Sequence, residues 1–478
     1  LRGCHATPVL VLATNLKDVS QKYQAEEVAV DEFLVSLTES DVEVVESENV
    51  EDTVITNLDR MVEGSPIVNL VNLALLSAIR DGASDIHVEP DRKKTRIRYR
   101  IDGVMRELMS PPAGMHSAIV SRIKVIGKMD IAEKRLPQEG RIHIVAEGRE
   151  IDLRVSSMPT ILGEKIVLRV LDKSSLTTDL EKLGFQQESL ETFRSMLLKP
   201  HGIVLVTGPT GSGKTTTLYS GLDLLRSVER NIVTVEDPVE YQLDLINQVQ
   251  AEEQVGLTFA RALRSILRQD PDIIMVGEIR DSETVRVAIQ AALTGHLVLS
   301  TIHTNDCPST ITRLLDMGVE SYLVASALNG IVAQRLARRV CSSCTTSYYP
   351  SPSVLAQAGW LEQKNRVYRR GEGCRQCHGS GFRGRCGIYE VMEVTTPIRN
   401  MIQDKVSESK MRRYLQEQGH GDLLAEGLRL VEDGQSTLEE VLRVTHMETK
   451  ATIRAEQKPP AGNLPPATPI PETVGAGA

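Results

Sequence analysis

The chain has 478 residues, 41% hydrophobic and only 3% aromatic, with a formal net charge of −9 at pH 7. That length suits about three or four domains, and the acidity argues against a general nucleic-acid binder. No apolar run approaches the roughly 18 residues of a membrane-spanning helix, and the short run 9–13 follows only Arg2 and His5, so no signal peptide is visible.

The chain begins at Leu1 rather than Met, which reads as a piece of a longer protein. Residues 1–60 carry a strand-like run at 9–13, a helical stretch at 16–23, and then Asp and Glu from Glu26 to Asp52. They read as the remnant of an upstream domain and an acidic, solvated linker. A unit spanning 61–172 follows. Ser65-Pro66 suits the N-cap and first turn of a helix. Ile67, Leu70, Val71, Ala74, Leu75 and Ile79 keep helical spacing as far as Arg80. Alternating runs at 85–89, 95–101 and 104–108 predict strands, with a hairpin turn at Asp102-Gly103. A helix is predicted over 116–129, then strands at 141–145, 150–156 and 165–171. This is an α+β lobe. Alternation puts Arg96, Arg98 and Arg100 on one face, either solvated or aimed at a phosphate. Residues 173–182 read as an interdomain linker.

The segment 183–330 reads as a nucleotide-binding core. The apolar run 203–207 predicts a buried parallel strand. It leads into Gly208-Pro209-Thr210-Gly211-Ser212-Gly213-Lys214-Thr215-Thr216, with a helix over 214–226. Strand, glycine loop and helix N-terminus form a phosphate-binding P-loop. Backbone N–H groups and the helix dipole hold the anion. Lys214 reaches the terminal phosphates and the Thr215 hydroxyl ligates Mg²⁺. The strand at 231–236 ends in Glu236, Asp237 and Glu240. A helix over 259–269 carries Arg264 and Arg268. The strand at 273–277 ends in Glu278, a Walker B pattern, and Asp281 caps the next helix. His296 and His303 bracket a further strand, and can be structural or sense the γ-phosphate. Strand and helix alternate, which predicts a parallel, doubly wound sheet.

The stretch 331–390 is basic, with 10 Lys and Arg against 3 Asp and Glu. It holds Cys341-Ser342-Ser343-Cys344 and Cys374-Arg375-Gln376-Cys377. Two such pairs supply four thiolates for a closed, structural Zn²⁺ site. Cys4, Cys307 and Cys386 have no partner pattern. Residues 391–450 read as helices over 397–403, 408–418 and 422–433, plus a last one opened by Ser436 with Glu439 in capping-box spacing. The tail 451–478 is rich in Pro, Ala and Gly and is expected to be disordered.

Ala83-Ser84-Asp85-Ile86-His87, Arg100-Ile101-Asp102-Gly103 and Asp130-Ile131-Ala132-Glu133-Lys134-Arg135-Leu136-Pro137-Gln138 join the P-loop in one pattern. So do Val235-Glu236-Asp237-Pro238-Val239-Glu240, Val276-Gly277-Glu278-Ile279-Arg280-Asp281, His303-Thr304-Asn305-Asp306, Ala333-Gln334-Arg335-Leu336 and the cysteine pairs. The set resembles the secretion ATPase superfamily that powers type II secretion and type IV pilus assembly, in its tetracysteine-containing branch. The resemblance implies an N-terminal PAS-like lobe and a RecA-like P-loop ATPase lobe, arranged as a homo-hexamer. ATP would lie between lobes whose relative rotation carries force. Glu236, Asp237 and Glu240 look like the family's Asp box, Glu278 like its Walker B acid, and His296 and His303 like its His box. Arg100 looks like a group that closes on the phosphates. Arg264 and Arg268 match arginines that contact ATP or a neighbouring subunit.

The cofactors implied are ATP, Mg²⁺ held by Thr215 and Glu278, and Zn²⁺ held by the four cysteines. Glu278 or a member of the Asp box would orient the attacking water, Glu278 first and Glu240 second. The location implied is cytoplasmic, peripheral to the inner membrane through a platform protein, with no direct nucleic-acid contact. Alternatives are a DNA-uptake or conjugation-type translocation ATPase and a nucleotide-gated scaffold. An upstream domain that binds a cyclic dinucleotide is not carried over.

Overall fold

The computed structural model describes residues 65–146, 149–172, 179–363 and 365–445. The expected remnant and acidic linker at 1–60, the tail at 451–478 and most of the 173–182 linker lie outside these residues. Two units are present. The described part of the first runs to Asp172 and includes Pro238–Asp244; the second holds Asp179–Asp237 and the chain from Leu245.

The first unit is built from α1 (Pro66–Arg80), β1 (Asp85–Pro90), β2 (Thr95–Ile101), β3 (Val104–Met109), α2 (His116–Ile126), β4 (Gln138–Ala146), β5 (Arg149–Thr160) and β6 (Gly163–Asp172). The strands form one antiparallel sheet, in the order β3-β2-β1-β6-β5-β4. Period-two alternation sends Ile97 and Tyr99, Ile142 and Ile144, Leu153 and Val155, and Ile166 and Leu168 to one face. The apolar stripes of α1 and α2 cover it. Tyr99 Oη donates to the Ala74 carbonyl of α1, satisfying its hydroxyl inside the core. On the opposite face Arg96, Arg98 and Arg100 stand side by side as expected. Each meets a carboxylate of the same unit: Asp91 at 2.7 Å, Glu89 at 2.6 Å and Asp85 at 3.5 Å.

The second unit contains α3 (Gln187–Leu197), β7 (Gly202–Thr207), α4 (Lys214–Leu225), β8 (Ile232–Glu236), β9 (Asn247–Gln250), α5 (Phe259–Ile266), β10 (Ile273–Val276), α6 (Ser282–Leu293), β11 (Leu297–Ile302), α7 (Cys307–Asp316), α8 (Ser321–Ala327) and β12 (Leu328–Val340). Then come β13 (Thr345–Tyr348), α9 (Pro352–Gln357), β14 (Tyr368–Gly371), β15 (Phe382–Glu393), α10 (Thr396–Gln403), α11 (Glu408–Glu417), α12 (Leu423–Glu432) and α13 (Leu438–Thr445). Its sheet has the order β15-β12-β7-β11-β10-β8-β9. All pairs are parallel except β12–β15. Every residue of β7, β8, β10 and β11 is buried, as parallel strands covered on both faces require.

The expected boundary at residue 331 falls inside β12. That strand and β15 belong to the ATPase sheet, so the cysteine-bearing excursion is shorter, leaving at Val340 and returning at Phe382, which pair. The last helix also starts one residue differently. Ser436 Oγ donates to the Arg338 carbonyl at 2.9 Å, and Thr437 Oγ1 takes the Glu440 N–H at 3.3 Å. Ser436 is drawn inward by β12, and Thr437 does the capping.

Candidate active site

The P-loop sits at the C-terminal end of β7, where a parallel sheet gathers its ligand chemistry. Its shape depends on backbone that L side chains rarely adopt. Gly208, Gly211 and Gly213 have φ of 148°, 80° and 89°. A Cβ on Gly208 would lie 2.5 Å from the Gln334 carbonyl oxygen, so β12 closes one side of the loop. No side chain caps α4. Its first N–H groups therefore point into the loop, ready for an anion. The Ser212 hydroxyl, buried there, has no protein partner among the described residues. Pro209, Thr210, Gly211 and Thr215 are exposed and Thr216 is half-buried. A triphosphate fits this cradle.

Lys214 Nζ donates to the Gly208 and Pro209 carbonyls at 2.8 and 3.1 Å. Burial pulls its ammonium down to about 8, with Glu278 opposing and Arg335 reinforcing. Beneath the loop, Thr207 Oγ1 donates to the Ile302 carbonyl at 3.0 Å and lies 2.6 Å from Thr304 Oγ1. Thr217 of α4 donates to Gln334 Oε1 at 2.8 Å.

Glu278 follows β10 by one residue beyond Gly277. Thr301 Oγ1 donates to the Gly277 carbonyl at 2.7 Å and fixes the turn. The carboxylate of Glu278 is ion-paired to Arg280, and His303 Nε2 lies 3.4 Å away on its other oxygen. Ile279 points into the core, so Glu278 and Arg280 share the outer side. Burial and the Lys214 charge lower the His303 pKa, against the pull of Glu278, which keeps the imidazole neutral near pH 7. Lys214, Glu278 and His303 are thereby coupled at the ends of three neighbouring strands. Arg280, Gln334, Arg335 and Thr304 stand in the sequence inside longer motifs, with no role read for them individually. Arg280 was legible in principle, two residues from the acid at the end of β10.

Other expected residues fall elsewhere. His296 is corrected: it precedes β11 while His303 follows it, so seven strand steps of ~3.3 Å separate them by roughly 23 Å. It sits at the strands' N-terminal edge, with Nδ1 2.9 Å from the Ala291 carbonyl, and cannot meet the P-loop of its own chain. Glu236 is buried, and its carboxylate accepts from Tyr219, from Thr234 at 2.6 Å and from Gln248 at 3.1 Å. That makes it a structural anchor for β8. Asp237 is exposed at the strand's end. Glu240 goes with the first unit, 3.5 Å from Arg154, whose guanidinium also donates to the Val239 carbonyl at 2.8 Å. The three acids read as one box are thus split three ways. Arg100 stays in the first unit, bonded to the Gly103 carbonyl at 3.1 Å as well as to Asp85. Arg264 pairs with Glu283 at 2.6 Å on the surface, and Arg268 donates to Ser265 at 3.3 Å.

The four cysteines converge although 29 residues lie between the pairs (344 to 374). Two strand pairings explain it. Val340 opposite Phe382 brings Cys341 N–H onto the Gly381 carbonyl at 2.9 Å. Thr345 opposite Gly371 brings the Glu372 N–H onto the Cys344 carbonyl at 3.1 Å. The Sγ atoms of Cys341 and Cys374 are 3.8 Å apart, those of Cys344 and Cys377 3.8 Å, and those of Cys374 and Cys377 3.7 Å. A tetrahedron with Zn–S bonds of about 2.3 Å has edges of about 3.8 Å, so the thiolates fit zinc. The N–H groups of Cys374 and Gly381 donate to Cys377 Sγ at 3.1 and 3.2 Å, stabilising thiolate charge.

A RecA-like sheet carrying a P-loop, a Walker B acid and a neighbouring histidine defines a P-loop ATPase. Comparisons with known proteins narrow the class. Residues 60–443 match the family described as Type II/IV secretion system protein, and the chain belongs to that family. It is 47% identical to the type IV pilus assembly ATPase PilB of Myxococcus xanthus over 92% of this chain and 78% of that protein. It is 47% identical to the type II secretion system ATPase E of Vibrio cholerae over 80% of this chain and 76% of that protein. Among solved structures it resembles the pilus retraction motor PilT with bound ADP, with a TM-score of 0.55 and 25% identity, over 80% of this chain and 99% of that one. The ATPase DotB of Yersinia pseudotuberculosis shares the fold, with a TM-score of 0.59 at 21% identity over 80% and 94%.

Proposed function

We propose that the chain is the ATP-hydrolysing subunit of a homo-hexameric motor serving pilus assembly or type II secretion. The coupling of Lys214, Glu278 and His303 at the C-terminal edge of the sheet carries this reading. Residues 208–216 hold the triphosphate, and Lys214 places its charge on the terminal phosphates. Thr215 and Glu278 hold Mg²⁺, which when bound neutralises phosphate charge. Glu278 orients the attacking water, and His303 keeps that carboxylate in place. Arg100 and the arginines beside it serve closure on the nucleotide. Arg264 and Arg268, which bond to Glu283 and Ser265 of their own unit here, serve ATP or a neighbouring subunit.

The tetracysteine arm binds structural Zn²⁺ and offers a rigid surface to a platform protein. Localisation at the cytoplasmic face of the inner membrane follows from that partner; no helix among the described residues is long and apolar enough to cross a membrane. Similarity to the pilus-assembly relative extends over 92% of the chain, against 80% for the Vibrio secretion relative, which favours pilus assembly. The test is Lys214→Ala. Turnover should vanish, and activity near that of the wild type, with contaminants excluded, sinks the assignment.

A further inference from the structure

The loop between β11 and α7 carries His303 and is held at three points. At the foot of the P-loop, Thr304 N–H donates to Thr207 Oγ1 at 2.9 Å. From β12, Arg335 Nη2 donates to the Asn305 carbonyl at 2.9 Å. From α11, Arg412 Nη2 donates to Asp306 Oδ2 at 2.8 Å. The first two belong to the ATPase sheet. The third belongs to the C-terminal helices, which the hydrolysis reading leaves unused.

Asp306 is the N-cap of α7, with its other oxygen accepting the Ser309 N–H at 2.9 Å. Just beneath it, Cys307 N–H donates to Glu390 Oε1 at 3.2 Å, while Glu390 Oε2 is buried with no partner among the described residues. Two carboxyl groups therefore crowd one end of the loop. Burial and the Asp306 charge push Glu390 up to about 7, while Asp306 is ion-paired with Arg412 at 2.8 Å. Asp306 is largely buried, at 16% exposed. Without the guanidinium its carboxylate would be left desolvated against Glu390, an arrangement that is strongly unfavourable. Loss of either charge removes the tie between α11 and the loop that carries His303.

We propose that Arg412 is a positioning residue for hydrolysis: through Asp306 it sets the loop that holds His303 against Glu278. This rests on the roles given above to Glu278 and His303. It makes α11 a lever on the active site, since any partner or neighbouring subunit that shifts α11 would change the rate without touching the nucleotide.

The experiment compares turnover and fluorescent-ATP affinity for Arg412→Ala, Arg412→Lys, Asp306→Asn and the double variant Arg412→Ala/Asp306→Asn, with Glu278→Gln alongside. Asn is as good an N-cap as Asp, so Asp306→Asn removes the charge and keeps the helix start. Each single loss should lower kcat at least about tenfold with the ATP Kd within about twofold. Arg412→Lys should restore part of the rate, and the double variant should be no slower than the worse single one. A kcat within twofold of wild type in Asp306→Asn, or losses that multiply in the double variant, overturns the proposal. So does an ATP affinity that falls in step with kcat. Should Arg412→Ala not fold, Asp306→Asn decides by the same two numbers. An active Glu278→Gln would instead overturn the underlying reading of the site.

Discussion

Lys214 sits on the carbonyls of its own loop with its ammonium held down at about 8 by burial. The folded chain binds this proton less tightly than the unfolded chain. The resulting cost is full below about pH 8 and shrinks as pH rises toward the ordinary lysine value. A bound triphosphate needs the charged form. ATP affinity should therefore be flat below pH 8 and weaken above it, by up to about tenfold per pH unit. Binding near pH 8 to 9 should take up a proton, which calorimetry in two buffers of different ionisation enthalpy would read. Binding with no proton uptake there would show that the lysine is not shifted. The same scale shows what spacing could and could not give. The P-loop was legible because glycine spacing, strand and helix lie in one contiguous stretch. Counting strand steps between His296 and His303 would have separated them, since one strand cannot bring both its ends to one site. The inward turn of Glu236 was not legible, because Tyr219, Thr234 and Gln248 converge on it from three elements.

The tetracysteine arm stands on a buried ion cluster. Arg338 and Arg443 both grip Glu440, at 2.8 and 2.6 Å, and Arg338 also lies over the Phe382 ring at 4.2 Å. Burial alone would raise Glu440, but the two guanidinium groups outweigh it and hold the carboxyl at about 2. Its contribution to stability is therefore complete above the ordinary carboxylate value of 4.5 and is lost as pH falls from there toward 2. Glu440→Gln should destabilise the fold at pH 7 by about 3 kcal/mol and flatten the acid limb of a Tm-versus-pH curve. An unchanged limb would assign acid lability to other carboxylates. Trp360 stacks on Tyr368 with ring centroids 5.8 Å apart, and Tyr348 donates to Glu439 of α13 at 2.8 Å. Chelation should release about one zinc per chain, shift Trp360 emission and leave ATP affinity within about twofold. Zinc-free protein with unaltered emission would mean that the arm holds its shape by packing alone. Strand and helix positions in both units were readable from periodicity. The arm's base was not, because β12 joins the parallel sheet on one side and pairs antiparallel with β15 on the other.

At the scale of the assembly, Arg264 is informative. Its pair with Glu283 is solvent-exposed, and such pairs contribute little, about 0 to 1 kcal/mol. Arg264→Ala should leave Tm nearly unchanged. If the chain assembles as proposed and the residue serves a neighbouring subunit, the variant should lose turnover at high concentration, where the wild-type rate per chain should rise. Equal rates per chain in variant and wild type at every concentration would remove Arg264 from that role. Motifs spread over most of the chain made the family legible in advance, and those after β7, β8, β10 and β11 stand at the strand ends where a parallel sheet places its chemistry. On the proposed mechanism, Glu278 drives hydrolysis of a nucleotide held by residues 208–216. Phosphate release and ATP binding measured on the same preparation of Glu278→Gln test it most directly. Binding should persist while turnover falls by at least about a hundredfold. Turnover near that of the wild type with binding intact would contradict it.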